Sequence, residues 1–486
     1  MEAFASFLSL PWVYWSLTVA YGVTVLSIVA VVLSENRNPV KSLAWVTVLL
    51  TFPIGGVILY IFFGRSIRNT SMISRRKRRK LLQSEPDLLH PDTTERPEMS
   101  RECRQHMQMG RTLTGARYYP DNRIELFTDG KSKFDRLKED LKSAASYINL
   151  QYYIISDDEL GNEIADILID RARAGVKVRV VYDHIGSWHT SEKFFRRMRA
   201  EGIQAFPFFR VAFPPFATRI NWRNHRKVCV IDGKIGYVGG MNIAKRYIDG
   251  GKSFKSWTDA HLRIDGPAVA ALHFSFAVDW NFMGQPLIEE RPEATPPSPD
   301  APGMRAGMQL ITSGPTSQWS NVAMMMFKAI GMAKKRVYIQ TPYFLPPDSM
   351  LRALQVAALS GVDVRVMMPR HSDSKVLTYA SRSFISECLK ADIKMFLFDG
   401  GMLHSKVIII DDEFASVGSA NIDFRSFEHN FEGNMMIYSS DLNTELRRRF
   451  AEAQKESSRV KAADWRRRPL AHKVLESIVR LLSPIL

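Results

Sequence analysis

One pattern constrains this chain more than any other: five spaced residues occur twice. The first copy is His225-Arg226-Lys227-Val228-Cys229-Val230-Ile231-Asp232, followed by Gly239-Gly240-Met241-Asn242. The second is His404-Ser405-Lys406-Val407-Ile408-Ile409-Ile410-Asp411, followed by Gly418-Ser419-Ala420-Asn421. Each reads H-x-K-x4-D, with Gly at +14 and Asn at +17 from the histidine. Such a set arises by chance on the order of 10⁻⁴ times per chain, and two copies at matching repeat positions make chance negligible.

The surroundings repeat as well. Gly175-Val176-Lys177-Val178-Arg179-Val180 reappears as Gly361-Val362-Asp363-Val364-Arg365-Val366. The β-prone stretch Ile148 to Gln151 is echoed by Val337 to Gln340, and each follows a helical pattern rich in Ala and Lys. Alternating strand and helix patterns predict an α/β fold, here in two halves, 116–290 and 304–455. Five prolines between 291 and 303 read as the linker joining them. Residues 65–115 read as a basic segment followed by a polar, proline-containing linker.

Inside each motif, His and Lys stand two apart on a strand pattern, so both point to the same face. An imidazole beside an ammonium suits a phosphate. Lysine supplies charge and donors, and histidine can be nucleophile or acid/base near neutral pH. The later glycine permits a turn or a close backbone approach, and the Asn amide adds a donor. No H-E-x-x-H or CxxC is present, and two His with two Lys repel a cation. The site is therefore expected to need neither metal nor other cofactor. Loss of turnover in a chelator, restored by a divalent ion, would refute this.

The formal net charge is +16, which invites an anionic partner. Its location discriminates. Residues 65–80 carry eight basic and no acidic side chains, and residues 455–486 carry eight basic and three acidic. These two segments hold 13 of the 16 surplus charges, leaving the rest near neutral, unlike a nucleic-acid groove. Residues 3–34 and 42–64 are uncharged, each long enough to span a bilayer. With the Asn38-Pro39 turn between them, residues 1–64 are expected to form a transmembrane hairpin. Glu2 and the lack of an early Lys or Arg argue against a cleaved signal peptide. The basic run after Gly64 predicts a cytoplasmic catalytic region by the positive-inside rule. Cys103, Cys229 and Cys388 exclude a disulfide scaffold and fit a reducing compartment.

Two segments suggest contact with lipid. Residues 206–224 interleave Phe206, Phe208, Phe209, Phe213, Phe216 and Trp222 with Arg210, Arg219 and Arg223, which reads as a membrane-touching lip or a packed loop. Residues 456–486 place Val474, Leu475, Ile478, Val479 and Leu482 on one helical face, with Arg466, Arg467, Arg468 and Lys473 upstream. This basic amphipathic helix is either interfacial or the last core helix.

The paired motifs resemble those of the phospholipase D superfamily. The whole chain is similar to the bacterial cardiolipin synthases within it, through Asn38 to Trp45, both motif halves, Thr341-Pro342-Tyr343-Phe344, Asn421 through Arg425-Ser426 to Asn430 and Glu432, and Leu481 to Pro484. The resemblance implies two phospholipase D-like α/β sandwich halves sharing one active site, in a multi-pass protein of the bacterial inner membrane. It implies a catalytic set of His225, Lys227, Asp232, His404, Lys406 and Asp411. One histidine would form a phosphohistidine and the other would move protons, with His225 expected as nucleophile and the reverse order open. Lys227, Lys406, Asn242 and Asn421 would hold phosphate oxygens. Asp232 and Asp411 are expected to brace strand and loop rather than touch substrate. Asp259 and Glu432, each before an apolar strand, are expected to orient the histidines. The implied reaction joins two phosphatidylglycerols into cardiolipin plus glycerol. Phosphatidylethanolamine as second donor, a phospholipid hydrolase and a membrane-tethered nuclease remain open alternatives, as does oligomeric state. Anionic membrane lipid is the expected partner, with no nucleic acid.

Overall fold

A computed structural model describes residues 11–35, 39–60, 71–83, 99–210, 221–292 and 296–483. The N-terminal helices form one unit; a second holds the residues from Ser71 onward, apart from 211–221.

In the N-terminal unit, helix Pro11–Glu35 is uncharged until its last residue. Its segment Pro11–Ala30 is long and apolar enough to cross a membrane, the one such helix among the described residues. The second uncharged run is divided into helices Pro39–Thr51 and Pro53–Leu59. Pro53 has no N–H to continue the ladder, and Phe52 leaves helical geometry at φ −127°. Leu49 and Tyr60 are buried against Ile28, Val29 and Trp45. Residues 61–70, which hold Arg65 and Arg68, lie outside the described set. The other six basic residues, Arg75 to Lys80, form the solvent face of helix Arg75–Gln83.

The larger unit is built on one sheet. Its first half supplies β1 (Tyr118–Asp129), β2 (Tyr147–Tyr152), β3 (Lys177–Asp183), β4 (Gln204–Phe208), β5 (Val228–Ile231), β6 (Ile235–Gly239) and β7 (Trp257–Asp265). The second supplies β8 (Met304–Ser313), β9 (Arg336–Gln340), β10 (Phe344–Leu345), β11 (Asp363–Pro369), β12 (Lys394–Phe398), β13 (Met402–Leu403), β14 (Val407–Ile410), β15 (Phe414–Gly418), β16 (Ile422–Asp423), β17 (Glu432–Tyr438) and β18 (Ser457–Arg459). The strand order is β18-β12-β11-β9-β14-β15-β17-β8-β1-β7-β6-β5-β2-β3-β4, with β13 beside β7 and β10 paired to β16. Outward from the β8–β1 seam the two sides match: β17-β15-β14-β9-β11-β12 mirrors β7-β6-β5-β2-β3-β4.

The seam is antiparallel, with Tyr118 opposite Gln309 and Ile124 opposite Met304. Helices cover both faces, so strands such as β2 and β5 are buried along their whole length. One apolar cluster lies mainly in each half, and a third takes Val228, Val230 and Leu262 from the first half with Val407, Ile409 and Val417 from the second. The halves thus share a core.

In the segment expected as a membrane lip or a packed loop, the described aromatics are packed while Arg210 is exposed. Phe208 is fully buried, and Phe206, Phe209 and Trp222 pack with Phe276, Trp280 and Phe431. Arg223 is buried on Asp183 at 3.3 Å. Phe206, Phe209 and Trp222 are partly buried; Phe213, Phe216 and Arg219 lie outside the described residues.

Candidate active site

The two motifs meet through an exchange between halves. Each histidine sits just before its strand, and its backbone is fastened to the other half. His225 N–H donates to Phe431 O at 2.9 Å, and His404 N–H donates to Thr258 O at 2.7 Å. Those partners immediately precede Glu432 and Asp259. His225 Nδ1 therefore lies 3.0 and 3.1 Å from the Glu432 carboxylate oxygens, and His404 Nδ1 lies 2.6 Å from Asp259 Oδ2. Each imidazole is held by the carboxylate of the opposite half.

Both carboxylates are completely buried, as is Lys227. Glu432 also accepts from Asn430 Nδ2 at 3.1 Å and Ser419 Oγ at 2.5 Å. Burial pushes its carboxyl upward, but His225, Lys227 and Ser419 outweigh that and hold it below the usual range. An ionised Glu432 can only accept, which puts the His225 proton on Nδ1 and leaves an Nε2 lone pair. The His404 side is balanced differently. Burial raises Asp259 to about 6 against the pull of Lys406. Lys406 Nζ stands 2.7 Å from His404 Nδ1, so one ring nitrogen faces both an acceptor and a donor.

Burial pushes His225 down to about 4 and His404 well below its usual range, with Lys406 adding to the latter. Both imidazoles are neutral at rest. Burial also depresses Lys406 to about 8 and pushes Lys227 well below its usual range. An arriving phosphodiester anion opposes these shifts, because an opposite charge favours the protonated cations.

Both histidines open onto one cavity of about 240 Å³, shared with Asn242 and Asn421. Lys227 and Lys406 lie behind them, each donating Nζ to the backbone carbonyl of its own motif histidine. Asn242 is braced as well: its amide donates to Tyr247 at 2.7 Å and accepts from Ile154 N–H at 3.1 Å. Asp232 and Asp411 are not on the cavity. Asp232, at φ 53°, accepts from the N–H groups of Ala145, Ser146 and Tyr147. Asp411, at φ 48°, accepts from those of Lys334, Lys335 and Arg336. Each clamps the start of the neighbouring strand, β2 or β9.

The +14 glycines mark close approach. A Cβ on Gly239 would meet Ala260 O at 2.5 Å, and one on Gly418 would meet Gly433 O at 2.5 Å. Among the cavity residues, Arg246, Tyr247, Asp373, Leu377 and Asp423 escaped sequence reasoning. Arg246 stands at +21 from His225, as Arg425 does from His404, so extending the repeat by seven positions beyond Gly +14 would have found it. Arg226 and Asp279 were missed too. Asp279 is fully buried and pairs with Arg226 at 2.7 Å to both oxygens, and Arg226 Nε donates to Glu432 O at 3.0 Å. This pair ties the first motif to the Glu432 strand.

A doubled histidine–carboxylate site at the junction of two repeated α/β halves defines a two-motif phosphodiester-type centre. The model "Cardiolipin synthase, PLD-like domain" matches residues 137–277 and 326–454, and "Phospholipase_D-nuclease N-terminal" matches residues 22–65. Cardiolipin synthase of Geobacillus kaustophilus is 38% identical, over 95% of this chain and 92% of that protein. The major cardiolipin synthase of Bacillus subtilis is 38% identical, over 97% and 98%. A crystal structure of phosphatidylserine synthase from Haemophilus influenzae matches with TM-score 0.58 at 13% identity, over 79% of this chain and all of that one, which shows likeness of fold. The chain belongs to the cardiolipin synthase family of phospholipase D-like proteins. With its apolar N-terminal helix, it is a membrane-associated enzyme of phospholipid metabolism.

Proposed function

We propose that the protein condenses two phosphatidylglycerols into cardiolipin and glycerol, with His225 as nucleophile. The observation that carries this reading is the crossed pair of carboxylate-held histidines on one small cavity. His225 Nε2 attacks phosphorus and the bond to the glycerol oxygen breaks. His404, protonated as the anionic headgroup arrives, gives that oxygen its proton. The phosphatidyl group is now on His225. His404 then takes the proton from a terminal glycerol hydroxyl of the second lipid, whose oxygen attacks phosphorus and frees His225. Lys227 and Lys406, with Asn421, hold the phosphate oxygens and stabilise the transition-state charge. Asp259 and Glu432 act as positioning residues.

A cavity of about 240 Å³ takes a headgroup and leaves acyl chains outside. Its aromatic walls, Tyr153, Tyr247, Trp257 and Tyr343, limit water at the phosphohistidine, which favours transfer over hydrolysis. The N-terminal helix and the basic row Arg75 to Lys80 support a multi-pass protein of the bacterial inner membrane with this unit on the cytoplasmic side.

Purified protein incubated with labelled phosphatidylglycerol alone tests the reaction. Cardiolipin with equimolar glycerol is expected; phosphatidic acid as sole product would replace the synthase reading with a hydrolase. His225→Ala and His404→Ala are each expected to lower turnover on the order of 10⁴-fold or more. Label from phosphatidylglycerol carried on the protein through alkali and released by acid, as expected of a phosphohistidine, should be absent from His225→Ala; label trapped on His225→Ala would reverse the assigned roles.

A further inference from the structure

A second cavity lies apart from the one that holds the histidines. It measures about 570 Å³ and lies under the C-terminal helix Leu470–Arg480, sharing no lining residue with the histidine cavity. Its wall carries five cations, Lys390, Arg466, Arg468, Lys473 and Arg480, against one carboxylate, Glu476. Two of the cations are answered: Arg468 pairs with Glu476 at 2.5 Å, and Arg480 pairs with Glu387. Lys390, Arg466 and Lys473 have no carboxylate partner among the described residues.

The same wall holds two buried donors without an acceptor, Trp465 Nε1 and Arg468 Nε. A buried N–H without an acceptor is unfavourable, so the pair marks a place where an acceptor is expected. Orphan donors beside three unneutralised cations ask for an anion with several oxygens. A phosphate group has that chemistry.

The helix above the cavity says where the phosphate comes from. Only Val479 and Glu476 of Leu470–Arg480 are buried. Leu470, Val474, Ile478, Leu481 and Leu482 are between 42% and 80% exposed. At 100° per residue these five fall in one arc of about 120°, flanked by Lys473 and Arg480 on the cavity side. An exposed apolar arc edged by cations is the pattern of a helix lying in a membrane interface. A site for free phosphate has no use for it.

We propose that this cavity binds the headgroup phosphate of an anionic phospholipid, with the apolar arc of Leu470–Arg480 seated among the acyl chains beside it. This is a second lipid site, independent of the reaction assigned to the histidines. It gives the C-terminal basic surplus a specific occupant.

The test uses full-length protein in phosphatidylcholine–detergent micelles, titrated with dioctanoyl-phosphatidylglycerol or with inorganic phosphate. The fluorescence difference between wild type and Trp465→Phe isolates the cavity. The lipid is expected to give a saturating signal that Lys390→Gln/Arg466→Gln/Lys473→Gln weakens about tenfold, the worth of one lost charge-assisted hydrogen bond. Turnover of short-chain phosphatidylglycerol at saturation should stay within about twofold in that variant, since none of the three touches the histidine cavity. An unchanged titration would overturn the site. Equal response to inorganic phosphate would overturn the lipid assignment. Sedimentation in the same micelles checks the rival occupant: a dimer that Val474→Ser/Ile478→Ser converts to monomer would make the arc a contact between two copies of this chain, and the proposal would fall.

Discussion

At the scale of the residue, the two histidines have the same motif and different surroundings. His225 has a clean acceptor in Glu432, held low by its partners. His404 shares Nδ1 between Asp259 and Lys406. A fixed tautomer suits a nucleophile, and a contested proton suits a group that must gain and lose one. The same groups set the pH dependence. Asp259 must be ionised to accept the His404 proton, and its carboxyl is raised to about 6, so kcat/KM should fall as pH drops through that value. Lys406 must be charged to hold phosphate, and it is depressed to about 8, so kcat/KM should also fall as pH rises through that value. A bell with limbs near 6 and 8 is expected. Asp259→Asn should remove the acid limb while lowering kcat on the order of 10²-fold or more, as for an orienting carboxylate; an acid limb that persists in Asp259→Asn would assign it to another group.

At the scale of the element, the repeated aspartates are structural. Asp232 and Asp411 occupy the same turn in each half, at positive φ, and each accepts from three successive backbone N–H groups. Alanine would lose all three hydrogen bonds and would strain at that φ, whereas asparagine tolerates it and keeps one oxygen. Asp232→Ala and Asp411→Ala should each cost about 1–3 kcal/mol, read as a lowered melting temperature in detergent. The asparagine variants should lose less, and the kcat of whatever remains folded should change little. A collapse of kcat with unchanged melting would place an aspartate in the chemistry. The sequence pattern carried this element-level role as an expectation, because a residue at fixed spacing on both copies reflects the common fold as readily as the common reaction. The second apolar run shows the opposite case. Its composition predicts one helix over 42–64, but Pro53 interrupts the ladder and divides it.

At the scale of the molecule, the seam between β1 and β8 makes one sheet of two halves and brings the motifs to one cavity. Because both histidines and both carboxylates lie in one chain, a mixture of His225→Ala and His404→Ala proteins should recover no turnover; recovery would mean that the halves exchange between chains. Much of this was legible in the sequence. The repeat required two like units, the strand and helix patterns made them α/β, and the location of charge pointed to a membrane. Those features are local or periodic, and local spacing is what a linear pattern records. The partners of the histidines were not legible. Asp259 and Glu432 could be nominated, but each lies nearer along the chain to the histidine of its own half. The structure pairs His225 with Glu432 across 207 positions and His404 with Asp259 across 145. The aromatic run at 206–209 was ambiguous for a similar reason, since Phe276, Trp280 and Phe431, which bury it, come from distant segments. Sequence by itself determined the chemistry available, the fold of each half and its duplication. Only tertiary structure decided which half completes which histidine, because that depends on how two strands pair across a shared core and not on any spacing along the chain.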